Sequence, residues 1–187
     1  SANCALYCNA KIDFVDIDPK TYNLCPSKLK KKLEDANLNG RLPKVLIPVH
    51  LGGQPCDMKK IKKLCDKFNV KIIEDASHAI GSSYLGEKTG SCIYSDITIF
   101  SFHPVKIVTT AEGGIALTND SDLAEKMNLY RTHGITKDFK GNEKKSHGSW
   151  YYEQVALGYN YRLTDLHAAL GISQIKRLDE FVSARNK

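Results

Sequence analysis

The chain predicts an α/β fold built on a mostly parallel sheet, and three stretches predict it. KVLIPV at residues 44–49 is a continuous apolar run of the kind found in a strand buried on both faces. A helical pattern follows at residues 58–68, and a second apolar run, VKII, begins at Val70. Strand, loop, helix, strand in that order is a βαβ unit, whose crossover makes the strands parallel and the connection right-handed.

The remaining elements follow in chain order. SANCALY reads as a short helix leading into a strand at residues 11–16 through Ile12, Phe14 and Val15, and Pro19 punctuates the turn after it. Ser27 is the expected N-cap of a helix running to Asn37, with Leu29, Leu33 and Ala36 on one face; NLNGRLP ends it. In HLGGQPCD, Gly52 and Gly53 allow a tight path and Asp57 caps the next helix. Residues 82–95 alternate polar and apolar around Leu85-Gly86-Glu87-Lys88, which predicts a small antiparallel hairpin. DITIFSF at 96–102 is a strand that delivers Ser101 at its end and Lys106 just beyond, and GGIALT at 113–118 is another. Asp120 or Ser121 caps a helix to about Thr132. Residues 133–152 are polar and long for a structureless loop, so mobility or completion by another chain is expected there. From Thr164, Leu166, Ala169, Leu170, Ile172, Ile175 and Leu178 give one long helix a broad apolar face.

At 187 residues the chain is one large domain or a domain with an appendage, and 42% hydrophobic with 26% charged residues is ordinary for a soluble globular protein. The formal charge of +6 is concentrated in lysine runs at 28–32 and 59–63. Both runs alternate with leucine or isoleucine at helical spacing, so they read as solvated helix faces, and no nucleic-acid partner is expected. Six cysteines without a CxxC pair point to free thiols in a reducing compartment. No signal peptide or membrane-length apolar run appears, which gives a cytoplasmic, non-membrane expectation. The sequence opens as if already inside a fold and closes within a helical pattern, so it is expected to be an interior piece of a longer protein.

The chemistry is expected in SFHPVKIVTTAEGG, residues 101–114. Lys106 sits there in a short loop between two strands, among the hydroxyls and imidazole of Ser101, His103, Thr109 and Thr110, with Gly113-Gly114 permitting close approach of the backbone to a ligand. A lysine amine in such a loop can form a Schiff base with a carbonyl compound. The second half of the site is VKIIEDASHAIG at 70–81, where a strand ends in Glu74 and Asp75. The carboxyl end of a strand is where ligands of open α/β sheets collect. A Schiff-base lysine together with a carboxylate for a pyridinium nitrogen is the protein's share of pyridoxal phosphate chemistry. Asp75 also fits a helix N-cap, and His78 either faces the same pocket or is a hydrogen-bonded core residue. His50 and His133 are weaker candidates, no metal is assigned, and the absence of GxGxxG after any predicted strand argues against a dinucleotide-binding module.

EDASHAIG, SFHPVK, TTAEGG and GYNYRLTDLHAALGISQIKRLDEF, in that order and spacing, resemble the DegT/StrS-type sugar aminotransferases over essentially the whole chain. The resemblance implies a three-layer α/β/α large domain of the aspartate aminotransferase fold (fold type I), with pyridoxal 5′-phosphate (PLP) as cofactor. It implies residues 1–163 as a cofactor-binding large domain lacking its N-terminal part, and 164–187 as a helix leading to a small domain not in this sequence. By position, Lys106 matches the Schiff-base lysine, Asp75 the partner of the ring nitrogen, His78 a contact of the ring or its phenolic oxygen, and Ser101 a phosphate ligand. Asn160 matches a residue reaching the cofactor phosphate of a neighbouring subunit, which implies a homodimer with a shared active site. Arg162 and His103 are candidate substrate contacts. Lysine rather than histidine at position 106 separates the chain from related dehydratases. IPVHLGGQPCDM, HGITKD and WYYEQ further imply a UDP-linked 4-keto-6-deoxy-N-acetylhexosamine as substrate and L-glutamate as amino donor. Alternatives are a different nucleotide-linked keto-sugar, or a catalytically incompetent dimerising core. Ala111 stands where many members carry glycine, and the family's upstream phosphate-binding turn lies outside this sequence.

Overall fold

Strands β1 (Val45–Leu46), β2 (Lys71–Asp75), β5 (Ile97–Ser101) and β6 (Gly114–Leu117) form one sheet in the order β1-β2-β5-β6. β1 and β2 are parallel, β2 and β5 are parallel, and β6 closes the edge antiparallel to β5. The mostly parallel α/β sheet expected from the βαβ pattern is therefore present. The computed structural model describes residues 1–137, 148 and 150–187, and they form two units, Ser1–Asn119 with Leu166–Lys187, and Asp120–Asp165.

In the first unit, α1 (Ala2–Tyr7) is followed by α2 (Pro26–Leu38) and α3 (Met58–Phe68). Leu29 and Leu33 of α2 meet Met58, Ile61 and Cys65 of α3 and Ile72 of β2 in one core. Side chains alternate across a strand, so the sheet face bearing Ile72 is buried while the face bearing Ile73, Ile97 and Ile99 is only half-buried. A second core gathers Ala76, Ala79, Ile80, Phe100 and Val108, with Leu178 packed against it. Asp57 caps α3 as predicted, accepting the Lys60 N–H at 3.3 Å. The hairpin is also where the alternation put it: β3 (Ser83–Tyr84) pairs with β4 (Glu87–Lys88) across Leu85 and Gly86, both at positive φ. That is the backbone a two-residue primed turn requires.

Four expectations are corrected. Residues 11–16 form no strand; the Asp13 and Asp16 carboxylates accept the N–H groups of Phe14 and Ile17, each at 2.8 Å, while Lys32 and Lys28 of α2 reach across to them at 2.6 and 2.5 Å. The segment is pinned by side chains, and part of the lysine run serves as its clamp. The N-cap of α2 is Cys25, because Pro26 takes the first turn, where a missing N–H costs nothing. The run at 44–49 keeps only two ladder residues, since Pro48 has no N–H to donate, and resumes as a single bridge between Val49 and Asp75. The long C-terminal helix is two helices, α5 (Asp165–Ile175) and α6 (Leu178–Arg185). At the break, the Arg177 N–H turns back to the Gln174 carbonyl at 3.0 Å and its guanidinium pairs with Glu180 at 3.0 Å.

The second unit begins with α4 (Ser121–Arg131), whose N-cap Asp120 accepts from Asp122 and Leu123 at 2.9 and 3.1 Å. β7 (Ile135–Thr136) pairs antiparallel with β8 (Glu153–Gln154). Most of the stretch expected to be a mobile loop, residues 138–147 and 149, lies outside the described residues. Among the described residues no helix is long and apolar enough to cross a membrane.

Candidate active site

β2 and β5 run in the same direction and end at the same edge of the sheet. Asp75 stands opposite Ile99, so Ser101 lies two residues further along and on the same face as Asp75. From strand spacing and rise, their Cα atoms are roughly 8 Å apart. Gly114, the first residue of β6, is paired with Ser101. The edge thus collects the end of β2, the end of β5 and the start of β6, and the loop joining the last two carries Lys106.

That loop is held at its neck. The Phe102 N–H donates to the Gly113 carbonyl at 2.8 Å, and the Phe102 carbonyl accepts the Thr110 N–H and the Thr109 hydroxyl, both at 3.0 Å. Val108 and Thr110 are buried, and Gly171 of α5 comes so close that a Cβ there would lie 2.8 Å from Thr110 Cγ2. Within the loop, Ser101 Oγ accepts the His103 N–H at 3.3 Å and the His103 carbonyl accepts the Lys106 N–H at 3.0 Å. Ser101 therefore uses a lone pair for the turn, which leaves its hydroxyl hydrogen available to a ligand. Lys106 is half-buried and His103 exposed. Ala111 adopts φ +65°, a left-handed conformation that favours glycine, with its N–H on Thr109 Oγ1 at 3.0 Å.

Asp75 is half-buried. Burial pushes its carboxyl pKa up, but hydrogen bonds from the Ser1 hydroxyl and from Ser77, whose N–H donates at 3.2 Å, outweigh it and hold the group below the usual range. Its main chain is fixed on both sides: the Asp75 N–H donates to Pro48 at 2.9 Å, its carbonyl accepts the His50 N–H at 3.0 Å, and the Ala76 N–H reaches Ile99 at 2.9 Å. A carboxylate kept ionised at a sheet edge is suited to hold a protonated heteroaromatic nitrogen.

On the opposite face from Asp75, at the preceding position, the structure reveals a pair that the sequence reading passed over. His50 is 0% exposed and its Nε2 lies 2.7 Å from Glu74 Oε2. Its Nδ1 accepts the Cys56 N–H at 3.2 Å, which leaves the proton on Nε2 to be donated to Glu74. Glu74 Oε1 accepts the hydroxyls of Ser95 at 2.5 Å and Thr98 at 3.1 Å. Burial raises the Glu74 pKa, and the hydrogen bonds from His50, Ser95 and Thr98 more than reverse it. The only signal in the sequence was a glutamate inside an apolar strand; its partner is 24 residues away.

His78 is exposed in the turn after β2, so the core reading for it is set aside. The loop after β1 reaches this turn: Gly53, at φ +88°, approaches so closely that a Cβ would lie 2.9 Å from the His78 carbonyl oxygen. Asn160 and Arg162 belong to the second unit and are exposed. Asn160 bridges Thr132, and its neighbours Tyr159 and Tyr161 donate their N–H groups to the Tyr130 and Arg131 carbonyls at 2.7 and 2.9 Å. Those carbonyls are unpaired acceptors of the last turn of α4, so the segment bearing Asn160 is fixed by the end of that helix. His133 donates its N–H to Tyr159 at 2.7 Å and takes a structural part in the same unit. Among the described residues, no group of three His, Cys, Asp or Glu side chains is arranged to hold a metal ion.

The arrangement has relatives. The chain is 39% identical over 193 residues to the UDP-4-amino-4,6-dideoxy-N-acetyl-beta-L-altrosamine transaminase of Campylobacter jejuni, covering 100% of this chain and 46% of that protein. It is 40% identical over 187 residues to the GDP-perosamine synthase of Caulobacter vibrioides, covering 100% of this chain and 45% of that one. The chain thus spans about half the length of the curated relatives it matches. Among solved structures, the putative sugar aminotransferase Spr1654 from Streptococcus pneumoniae in its PMP-form superposes with TM-score 0.81 at 30% identity, over 98% of this chain and 49% of that one. The model of the DegT/DnrJ/EryC1/StrS aminotransferase family matches residues 1–187. With the sheet edge, the lysine loop and the match over every residue in agreement, the chain belongs to the DegT/DnrJ/EryC1/StrS aminotransferase family.

Proposed function

We propose that the protein, in its full length, is a PLP-dependent aminotransferase that transfers the amino group of L-glutamate to a UDP-linked 4-keto-6-deoxy-N-acetylhexosamine, working as a homodimer with shared active sites. The observation that carries this reading is the placement of Asp75 and Ser101 on one sheet face at the edge where the Lys106 loop begins. The residues fit the cofactor: an ionised, half-buried carboxylate, a hydroxyl with a free hydrogen beside a glycine strand start, and a half-buried lysine in the loop that follows the hydroxyl.

PLP bound there supplies an electron sink for the carbon that gives up its proton. The Asp75 carboxylate holds the proton on the ring nitrogen. The Ser101 hydroxyl would donate to the phosphate, joined by Asn160 of a neighbouring subunit, and His78 would contact the ring or its phenolic oxygen. Lys106 Nζ would anchor the cofactor and, as a free amine, would be the base that takes the proton from the α-carbon of the amino donor. His103 would contact the sugar nucleotide, and Arg162 is a separate candidate substrate contact. The residues of IPVHLGGQPCDM, HGITKD and WYYEQ and the altrosamine relative support the UDP-linked substrate; the GDP-perosamine synthase relative, equally similar, makes a GDP-linked sugar the alternative.

The test is a pair of half-reactions with full-length protein. PLP-loaded protein given L-glutamate should release 2-oxoglutarate in stoichiometric amount, and the resulting amine form should then aminate a UDP-linked 4-keto sugar faster than a GDP-linked one, read by mass spectrometry. Release of no 2-oxoglutarate would rule out the donor assignment, and a preference for the GDP sugar would rule out the substrate.

A further inference from the structure

The His50–Glu74 pair is more than a satisfied polar island. Its members bracket Asp75: Glu74 is the preceding residue, and the His50 main chain is bonded to Asp75 itself. The His50 N–H holds the Asp75 carbonyl at 3.0 Å while its ring holds the Glu74 carboxylate at 2.7 Å, so one residue of the loop after β1 grips two successive residues of β2. The ring is in turn oriented by the Cys56 N–H at 3.2 Å, and Glu74 ties the assembly to β5 through Thr98 and to the loop before it through Ser95. Both side chains are buried, and among the described residues no buried side-chain polar atom lacks a hydrogen-bond partner. Any rotation of the β2 end that moved Asp75 would break this set.

We infer that His50 and Glu74 are positioning residues that fix the Asp75 carboxylate toward the ring nitrogen of the cofactor, an inference that rests on the reading under Proposed function. An apolar pair of the same volume would fill this space equally well; the hydrogen bonds add direction. They add side-chain bonds from the loop after β1 and from β5 to the main-chain bonds that already hold the end of β2, as outer partners do for groups that must be held in one geometry.

The experiment uses full-length protein carrying His50→Ala, His50→Gln or, as a control for simple destabilisation, Ile61→Val in the core between α2 and α3. PLP affinity is measured by absorbance titration, and hydrogen exchange is followed at the Asp75 amide without cofactor. His50→Ala should weaken PLP binding about tenfold or more, on the scale of lost outer-shell partners, and speed exchange at Asp75. His50→Gln, which returns an N–H donor at the reach of Nε2, should recover most of both. Ile61→Val should lower the melting temperature and leave affinity unchanged. Wild-type affinity or wild-type exchange in His50→Ala, or an equal loss of affinity in Ile61→Val, would overturn the inference alone. Failure of the wild-type protein to take up PLP would overturn the functional reading and this inference with it.

Discussion

Asp75 and Ser101 occupy the same face of neighbouring parallel strands, with Ser101 two residues nearer the edge. That relationship sets the spacing of the site before any loop is considered, because strand register is rigid where one face is buried. On the opposite face Glu74 stands opposite Thr98 and is bonded to it, so the register is locked by a polar pair as well as by packing.

Asp75→Asn should leave the strand register intact and remove the charge proposed to hold a proton on the ring nitrogen. PLP uptake should persist while amino transfer from glutamate falls on the order of 10²–10³-fold, the scale of losing one preorganised electrostatic partner. Single-turnover release of 2-oxoglutarate measures it; an unimpaired rate would remove Asp75 from the reaction.

Ala111→Gly should stabilise the protein by about 1 kcal/mol, since Ala111 is held at φ +65°, where a Cβ is strained. Denaturant unfolding of the two proteins measures the difference, and a less stable glycine variant would contradict the strain argument.

The placement of Asp75 and Ser101 at strand ends and of Lys106 in the loop just after was legible because each stands at a boundary that pattern alone defines. The same patterns misled where the chain is held by side chains rather than by a ladder. Ile12, Phe14 and Val15 read as a short strand, yet the Asp13 and Asp16 carboxylates capture the adjacent N–H groups. The continuous apolar face after Thr164 concealed the break at Arg177, which is made by backbone turning and a local ion pair. His50 was undervalued because its partner depends on tertiary pairing of β1 with β2, which no local spacing reveals.

Glu74 makes stability pH-dependent. Its folded pKa is depressed against the pull of burial, so its contribution is fully present above the unfolded value and is lost as pH falls through the lower folded value. Glu74→Gln should therefore reduce stability by about 2 kcal/mol at pH 7, and the gap to wild type should close below pH of about 4. Urea unfolding at both pH values checks it; a gap independent of pH would contradict the assignment.

The thiols divide by burial. Cys56 is pushed up to about 12 and Cys65 to about 11, in both cases chiefly by burial, whereas Cys4 and Cys8 are exposed. Brief alkylation of the native protein at pH 8, followed by peptide mass analysis, should label Cys4 and Cys8 and spare Cys56 and Cys65 until denaturant is added. Early labelling of Cys65 would place the α2–α3 core in exchange with an open form.

The central claim is that Lys106 carries the cofactor. Full-length protein incubated with PLP, reduced with borohydride and digested should yield one phosphopyridoxyl-labelled peptide with the label on Lys106, and Lys106→Ala should yield none. A label on another lysine, or retained label in the Lys106→Ala protein, would contradict the account.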